Sequence, residues 1–221
     1  MLCALDLGSI TGWATWDGSA VASGTREFPA LGAPALRYKA FREWVAPMIE
    51  GCMLCGYEMP HLRNLRTSQF LIGLVNGVHE ACATHRAQWM SIHSLTLKKF
   101  VTEHGHADKA TMYRSALAHG WLDGQRRSDG TPLAELEPRQ IVALDDRFDA
   151  ANNQVDAIAV LYYLARYGQK RVRSLDVVLP GADGFAAPPK VKAMKNDDER
   201  LFERIAHTFD GGYEVVGDDD E

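Results

Sequence analysis

Apolar residues in the first hundred positions fall into short runs separated by turn-forming residues. Leu2 to Leu7 is almost wholly apolar, the pattern of a central strand buried on both faces. Gly12 to Trp16 and Ala20 to Thr25 follow as two further strands, joined through Asp17-Gly18, a dipeptide that favours a hairpin turn. Residues 30–34 predict a loop. Over 35–50 the apolar positions Leu36, Phe41, Trp44, Val45, Met48 and Ile49 move close to helical period, and Pro47 is expected to kink or shorten the helix.

Cys52 to Glu58 predicts the next strand, which ends in a carboxylate, and Thr67 to His85 a long helix with Phe70, Leu71, Leu74, Val75 and Val78 apolar. Gln88 to Ile92 predicts a strand, Ser94 to Glu103 a helix, and Asp108 to Ala118 a helix with Asp108 as its N-cap. Gly120 to Arg147 is rich in charge, Gly and Pro and reads as an insertion or loop. Ala150 to Tyr167 predicts a helix ending before Gly168. Pro180 to Pro189 has linker composition, 197–208 a short helical pattern, and Asp218 to Glu221 the composition of a disordered end. Three strands joined by hairpins, followed by alternating helix and strand, predict an α/β protein with a mixed five-stranded sheet and helices on both faces. The division expected is a domain over 1–168, with 120–147 as an insertion, and a C-terminal extension over 169–221.

Composition bounds the function. No apolar run approaches the roughly 18–20 residues that span a membrane. The chain opens on a strand pattern without a basic segment ahead of an apolar stretch, so the expected location is cytoplasmic, or the host cytoplasm for a phage-encoded protein. The net charge of −5 argues against nucleic acid until its distribution is considered. Residues 196–221 hold ten acids and two bases, whereas 1–195 hold 22 bases and 19 acids. The body is therefore mildly basic, and local patches decide phosphate binding. The Cys52-x-x-Cys55 pair lies in an apolar run with no second such pair, which predicts buried structural thiols for Cys3, Cys52, Cys55 and Cys82 rather than a zinc site.

Three carboxylates stand in apolar surroundings. Asp6 lies in the middle of an apolar strand, where β-propensity disfavours aspartate, and burying its charge is costly without a partner or a metal. Glu58 ends a second apolar strand just before Pro60, and Asp156 lies in the apolar helix that begins near Ala150. Singly, each has a structural explanation: a turn contact for Asp6, a strand end for Glu58, a helix-dipole partner for Asp156. Together, three converging carboxylates repel one another until a cation neutralises them, and hard divalent ions favour such oxygen donors. Two such ions activate water and stabilise the leaving oxygen in phosphodiester hydrolysis.

Four segments carry a family resemblance. Leu5-Asp-Leu-Gly-Ser-Ile-Thr-Gly-Trp-Ala14 resembles the opening strand and turn of RuvC-type Holliday junction resolvases, above all the phage-encoded branch. Tyr57-Glu58 resembles their second acidic strand. Leu97-Lys-Lys-Phe-Val-Thr-Glu-His-Gly-His-Ala-Asp-Lys-Ala-Thr-Met112 resembles their lysine segment, and Asn153-Gln-Val-Asp-Ala157 their closing acidic helix. The four occur in family order between residues 2 and 167. The resemblance implies an RNase H-like fold, a homodimer, Mg2+ or Mn2+ as two ions, and paired nicks in Holliday junctions or other branched DNA. By position it implies Asp6, Glu58 and Asp156 as catalytic metal ligands, with Lys98 and Lys109 beside the scissile phosphate. Lys99 and His61 join Lys98 and Lys109 as the expected DNA contacts.

The chain departs from the pattern at several points. Asn153 stands where bacterial members often carry a second acid one turn before the last aspartate; its amide oxygen is a possible fourth ligand. Asp149, two turns from Asp156, is the alternative. Glu103 stands where the family often has glycine, and His61-Leu62 where some members place a stacking aromatic. His104 and His106 read as a solvated loop, and Arg126-Arg127 as exposed or DNA-facing. Two other classes compete. Sugar kinases and actin-like ATPases share the Asp-x-Gly opening but need a second such loop and a second domain. A non-catalytic branched-DNA-binding or packaging factor would keep the fold and account for Asn153.

Overall fold

A computed structural model describes residues 1–29, 34–61, 64–137 and 151–168. The expected extension over 169–221, the end of the 120–147 segment, Leu62 and Asp149 lie outside the described residues. The sheet is built from β1 (Leu2–Asp6), β2 (Ile10–Trp16), β3 (Val21–Glu27), β4 (Leu54–Glu58) and β5 (Gln88–Ile92). Its order is β3-β2-β1-β4-β5. β1 pairs antiparallel with β2 and parallel with β4, β2 and β3 are antiparallel, and β4 and β5 are parallel. The mixed sheet expected from the pattern of strands is thus present. The hairpin between β2 and β3 turns through Asp17, whose Oδ1 accepts from the Ser19 and Ala20 amides at 2.8 and 3.0 Å.

Alternation along each strand assigns the two faces. Cys3, Leu5, Leu7, Cys55 and Tyr57 pack with Phe41, Val45 and Ile49 of α1 (Pro34–Ile49) and with Leu74, Val78 and Cys82 of α2 (Leu65–His85). Pro47 is accommodated within α1. All four cysteines are free and buried, and the Cys52 thiol donates to the Met48 carbonyl at 3.3 Å. They are core residues, as their apolar setting implied. The intervening positions Leu2, Ala4 and Asp6 of β1, with Leu54, Gly56 and Glu58 of β4, occupy the opposite face, which α5 (Ala151–Tyr167) covers. Helices therefore lie on both faces. Among the described residues no helix is long and apolar enough to cross a membrane.

α5 lies directly on the sheet backbone because the residues beneath it are small. A Cβ at Gly12 would sit 1.9 Å from the carbonyl oxygen of Asn153, and one at Gly56 would sit 2.5 Å from the Leu164 side chain. The first turns of the helix are then tied down by amides. Asn153 Nδ2 donates to the Ile10 carbonyl at 2.8 Å, and Gln154 Nε2 donates to Ser23 Oγ at 2.8 Å and to the Arg126 carbonyl at 2.9 Å. Gln154 is buried, so these partners meet the cost of desolvating its amide.

α3 (Ser94–Thr102) and α4 (Lys109–Ala118) follow β5. His93 caps α3, and Asp108 caps α4 by accepting from the Thr111 amide at 2.7 Å. Glu103 ends α3 in the left-handed conformation, φ 66°, the geometry that suits glycine. The described part of the 120–147 segment is irregular, with a 3-10 turn at Leu133–Glu135, yet it carries core. Trp121, Leu122, Leu133 and Leu136 are buried, and Tyr113 Oη donates to the Leu133 carbonyl at 2.8 Å. Gln125 joins it to the edge strand, donating to the Val21 carbonyl and accepting from Ser23 Oγ.

Gly12→Ala tests the backbone contact. The methyl group has no room, so α5 must shift, at a cost of about 3 kcal/mol. A lower urea midpoint with an unchanged slope is the expected result, and an unchanged midpoint would refute the close approach.

Candidate active site

The sheet brings Asp6 and Glu58 together by register. Leu5 is the Cα partner of Tyr57 across the parallel β1/β4 pair, so the acids that follow these two residues end adjacent strands side by side. Asp6 is also the Cα partner of Gly12, the residue on which α5 rests at Asn153. Asp156 lies three residues further along α5, on the same helix face as Asn153. The helix contact at Gly12 therefore delivers Asp156 to the strand ends that carry the other two acids. All three side chains are half-buried.

Their electrostatics place the acids within reach of one another's charge. Burial pushes the Asp6 carboxyl well above the usual carboxylate range, and the charges of Asp156 and Glu58 push it further. Asp156 is raised to about 7, by burial first and then by Glu58. Lys109 opposes the shift on both aspartates, and Lys98 opposes it on Asp156. Lys109 is the first residue of α4, and Lys98 lies on α3. Five of the residues singled out in the sequence thus act on one another electrostatically. Among the described residues neither lysine forms a close ion pair.

The other expected residues occupy different places. Lys99 is exposed in the last turn of α3. His61 is exposed beyond β4, its ring edge-on to His93 at 6.4 Å. His104 and His106 are exposed, in keeping with a solvated loop. The Asn153 amide nitrogen is engaged by the Ile10 carbonyl, which gives this side chain a role in seating the helix. Pattern reading missed Gly12 as the seat of α5, because a close backbone contact between distant segments leaves no periodic signal. It also missed His93, which reads as an ordinary polar residue between a strand and a helix.

Among the described residues, no three His, Cys, Asp or Glu side chains stand close enough together to hold a metal ion as they are placed. In chemical terms the donors fit a hard divalent cation: all three are carboxylate oxygens, and the charged forms of Asp6 and Asp156, disfavoured by burial and by neighbouring acids, gain most from one.

The raised carboxyl of Asp156 sets a pH dependence for the ion-free protein. Its folded pKa of about 7 exceeds the unfolded value near 3.8, so the folded state binds the extra proton between these pH values. The native state is therefore destabilised as pH rises through that window. Asp156→Asn is expected to be more stable than the parent at pH 8, by on the order of 2 kcal/mol, and to converge with it near pH 4. Thermal melts in EDTA across this range check the sign; a variant less stable at pH 8 would reverse the assignment.

Solved structures share this architecture. The Thermus thermophilus RuvC structure superposes with a TM-score of 0.50 at 13% identity, covering 76% of this chain and 96% of that one. T. thermophilus RuvC in complex with a Holliday junction substrate superposes with a TM-score of 0.53 at 13% identity, covering 77% and 95%. A complex of fowlpox virus resolvase with substrate Holliday junction DNA matches more loosely, with a TM-score of 0.42 at 10% identity over 75% and 99%. No protein-family model matches the chain, and no curated protein matches it in sequence. With its five-stranded mixed sheet, its flanking helices and its likeness to RuvC at low identity, the chain has an RNase H-like fold of the RuvC type.

Proposed function

We propose that this protein is a metal-dependent endodeoxyribonuclease that hydrolyses phosphodiester bonds in Holliday junctions and related branched DNA. The observation that carries the reading is the convergence of Asp6, Glu58 and Asp156 at one end of the sheet, opposed by Lys98 and Lys109. A resident binding module would gain nothing from three half-buried acids that repel one another and any phosphate brought near them. With divalent ions bound between them, the same acids become attractive to a phosphodiester. Fold likeness to a RuvC–junction complex supports branched DNA as the substrate class.

Asp6, Glu58 and Asp156 would hold Mg2+ or Mn2+. Bound there, such ions supply activation of water and charge stabilisation of the leaving oxygen. The chain's own part is to position and to balance charge. The strand ends and α5 hold the three carboxylates on a rigid frame, and the lysines supply compact positive charges for the phosphate. Asn153 is a candidate fourth oxygen donor through its Oδ1, since its amide nitrogen already seats the helix. Lys99 and His61 extend the DNA-facing surface along α3 and beyond β4. Nicking both strands of a four-way junction requires two sites, which a homodimer provides.

The test is cleavage of a labelled four-way junction, a Y-fork and a linear duplex, in Mg2+ or EDTA. Metal-dependent nicking of the junction alone would indicate a resolvase, and nicking of both branched forms a broader debranching nuclease. Asp6→Asn is expected to reduce cleavage by more than about 10^3-fold while junction binding persists. Full activity of this variant would refute the site. Junction binding by the parent without any cleavage would favour a non-catalytic branch-binding factor. Lys109→Ala is expected to weaken junction binding and to lower its logarithmic salt slope by about 0.9, read by titration at several salt concentrations.

A further inference from the structure

We propose that His93 is a DNA contact of this site, donating its Nε2 proton to a phosphate oxygen of the bound branched DNA near Glu58. The inference rests on the nuclease reading above. Glu58 and Ile92 are Cα partners at the ends of β4 and β5, and the Met59 amide donates to the Ile92 carbonyl at 2.8 Å. His93 follows Ile92 directly, so it stands at the end of the sheet that carries the acid. The helix it caps carries Lys98, whose charge acts on Asp156.

The capping bond fixes the tautomer. His93 Nδ1 accepts from the Leu95 amide at 3.2 Å. With the Nδ1 lone pair engaged, neutral imidazole carries its proton on Nε2, and that nitrogen is a donor only. Among the described residues Nε2 has no hydrogen-bond partner, and it is not among their buried unpaired polar atoms, so it is open to solvent at least in part. The exposed His61 sits edge-on to the ring at 81°. A helix cap requires only a side-chain acceptor, which Ser, Thr, Asp or Asn supplies. Histidine adds a second, outward donor that the cap does not use, next to carboxylates and lysines that converge on a phosphate.

The cap and the donor are separable by substitution. His93→Asn keeps an acceptor for the Leu95 amide and removes the Nε2 donor, whereas His93→Ala removes both. Binding to a synthetic four-way junction is measured in an Asp6→Asn background, with melting temperature alongside. His93→Asn is expected to melt within about 2 °C of its parent and to bind the junction about tenfold more weakly. His93→Ala is expected to weaken binding equally and to lower the melting temperature as well. Junctions carrying single neutral methylphosphonates supply the second measurement. One position near the cut is expected to weaken the parent about tenfold and to leave His93→Asn unaffected. Equal junction affinity of His93→Asn and its parent, with no such position, would overturn the inference while the nuclease reading stands. A wild-type protein that neither prefers the junction nor nicks it would overturn both.

Discussion

The site depends on how closely α5 approaches the sheet. Backbone meets backbone at Gly12, where not even a methyl group fits beneath the Asn153 carbonyl. That contact is local to β2, but its reach is wide. Gly12 is the register partner of Asp6, so the point at which the helix touches the sheet is also the point at which the first acid is presented. From there helix geometry carries Asp156 one turn further to the same strand ends. Asn153 and Gln154 hold the contact closed from either side through Ile10, Ser23 and the Arg126 carbonyl. The polar residues at the start of this apolar helix are explained by that task.

Once seated, the three acids are in conflict. Burial and mutual repulsion raise Asp6 and Asp156, so the frame that assembles them works against their charge. Such conflicts persist in folded proteins where the surrounding structure over-determines them and function draws on them. Here the surroundings are a strand register, a parallel neighbour and a pinned helix, none of which yields easily. The lysines moderate the conflict from a distance without closing into ion pairs.

Much of this was legible in the chain itself. Run length and alternation located the five strands, and the helical periods located the helices to within a few residues, because each signal is local. The three acids stood out because aspartate and glutamate are poor company for apolar strands and an apolar helix. What stayed hidden was non-local. Nothing in the spacing of Gly12 says that a helix from 140 residues later lies on it. The Gly- and Pro-rich segment after Gly120 reads as loop, and it is irregular. Its buried Trp121, Leu122 and Leu133 have no period to announce them, since an irregular segment contributes side chains to a core without repeating. Gln154, which carries no periodic signal of its own, is a buried bracket.

Phe100 on α3 packs edge-on against Tyr163 and Tyr167 of α5 and stacks on Trp121, which stacks in turn on Tyr162 at 4.4 Å. Lys98 is two residues from Phe100, and Asp156 lies on the helix that supplies the tyrosines. Lys98 and Asp156 are thus carried by two helices that meet at one aromatic joint. Close-packed rings resist compression, so the joint holds α3 at a fixed distance from α5, and a substitution that shrinks one ring would let the two helices, and the charges they carry, shift together.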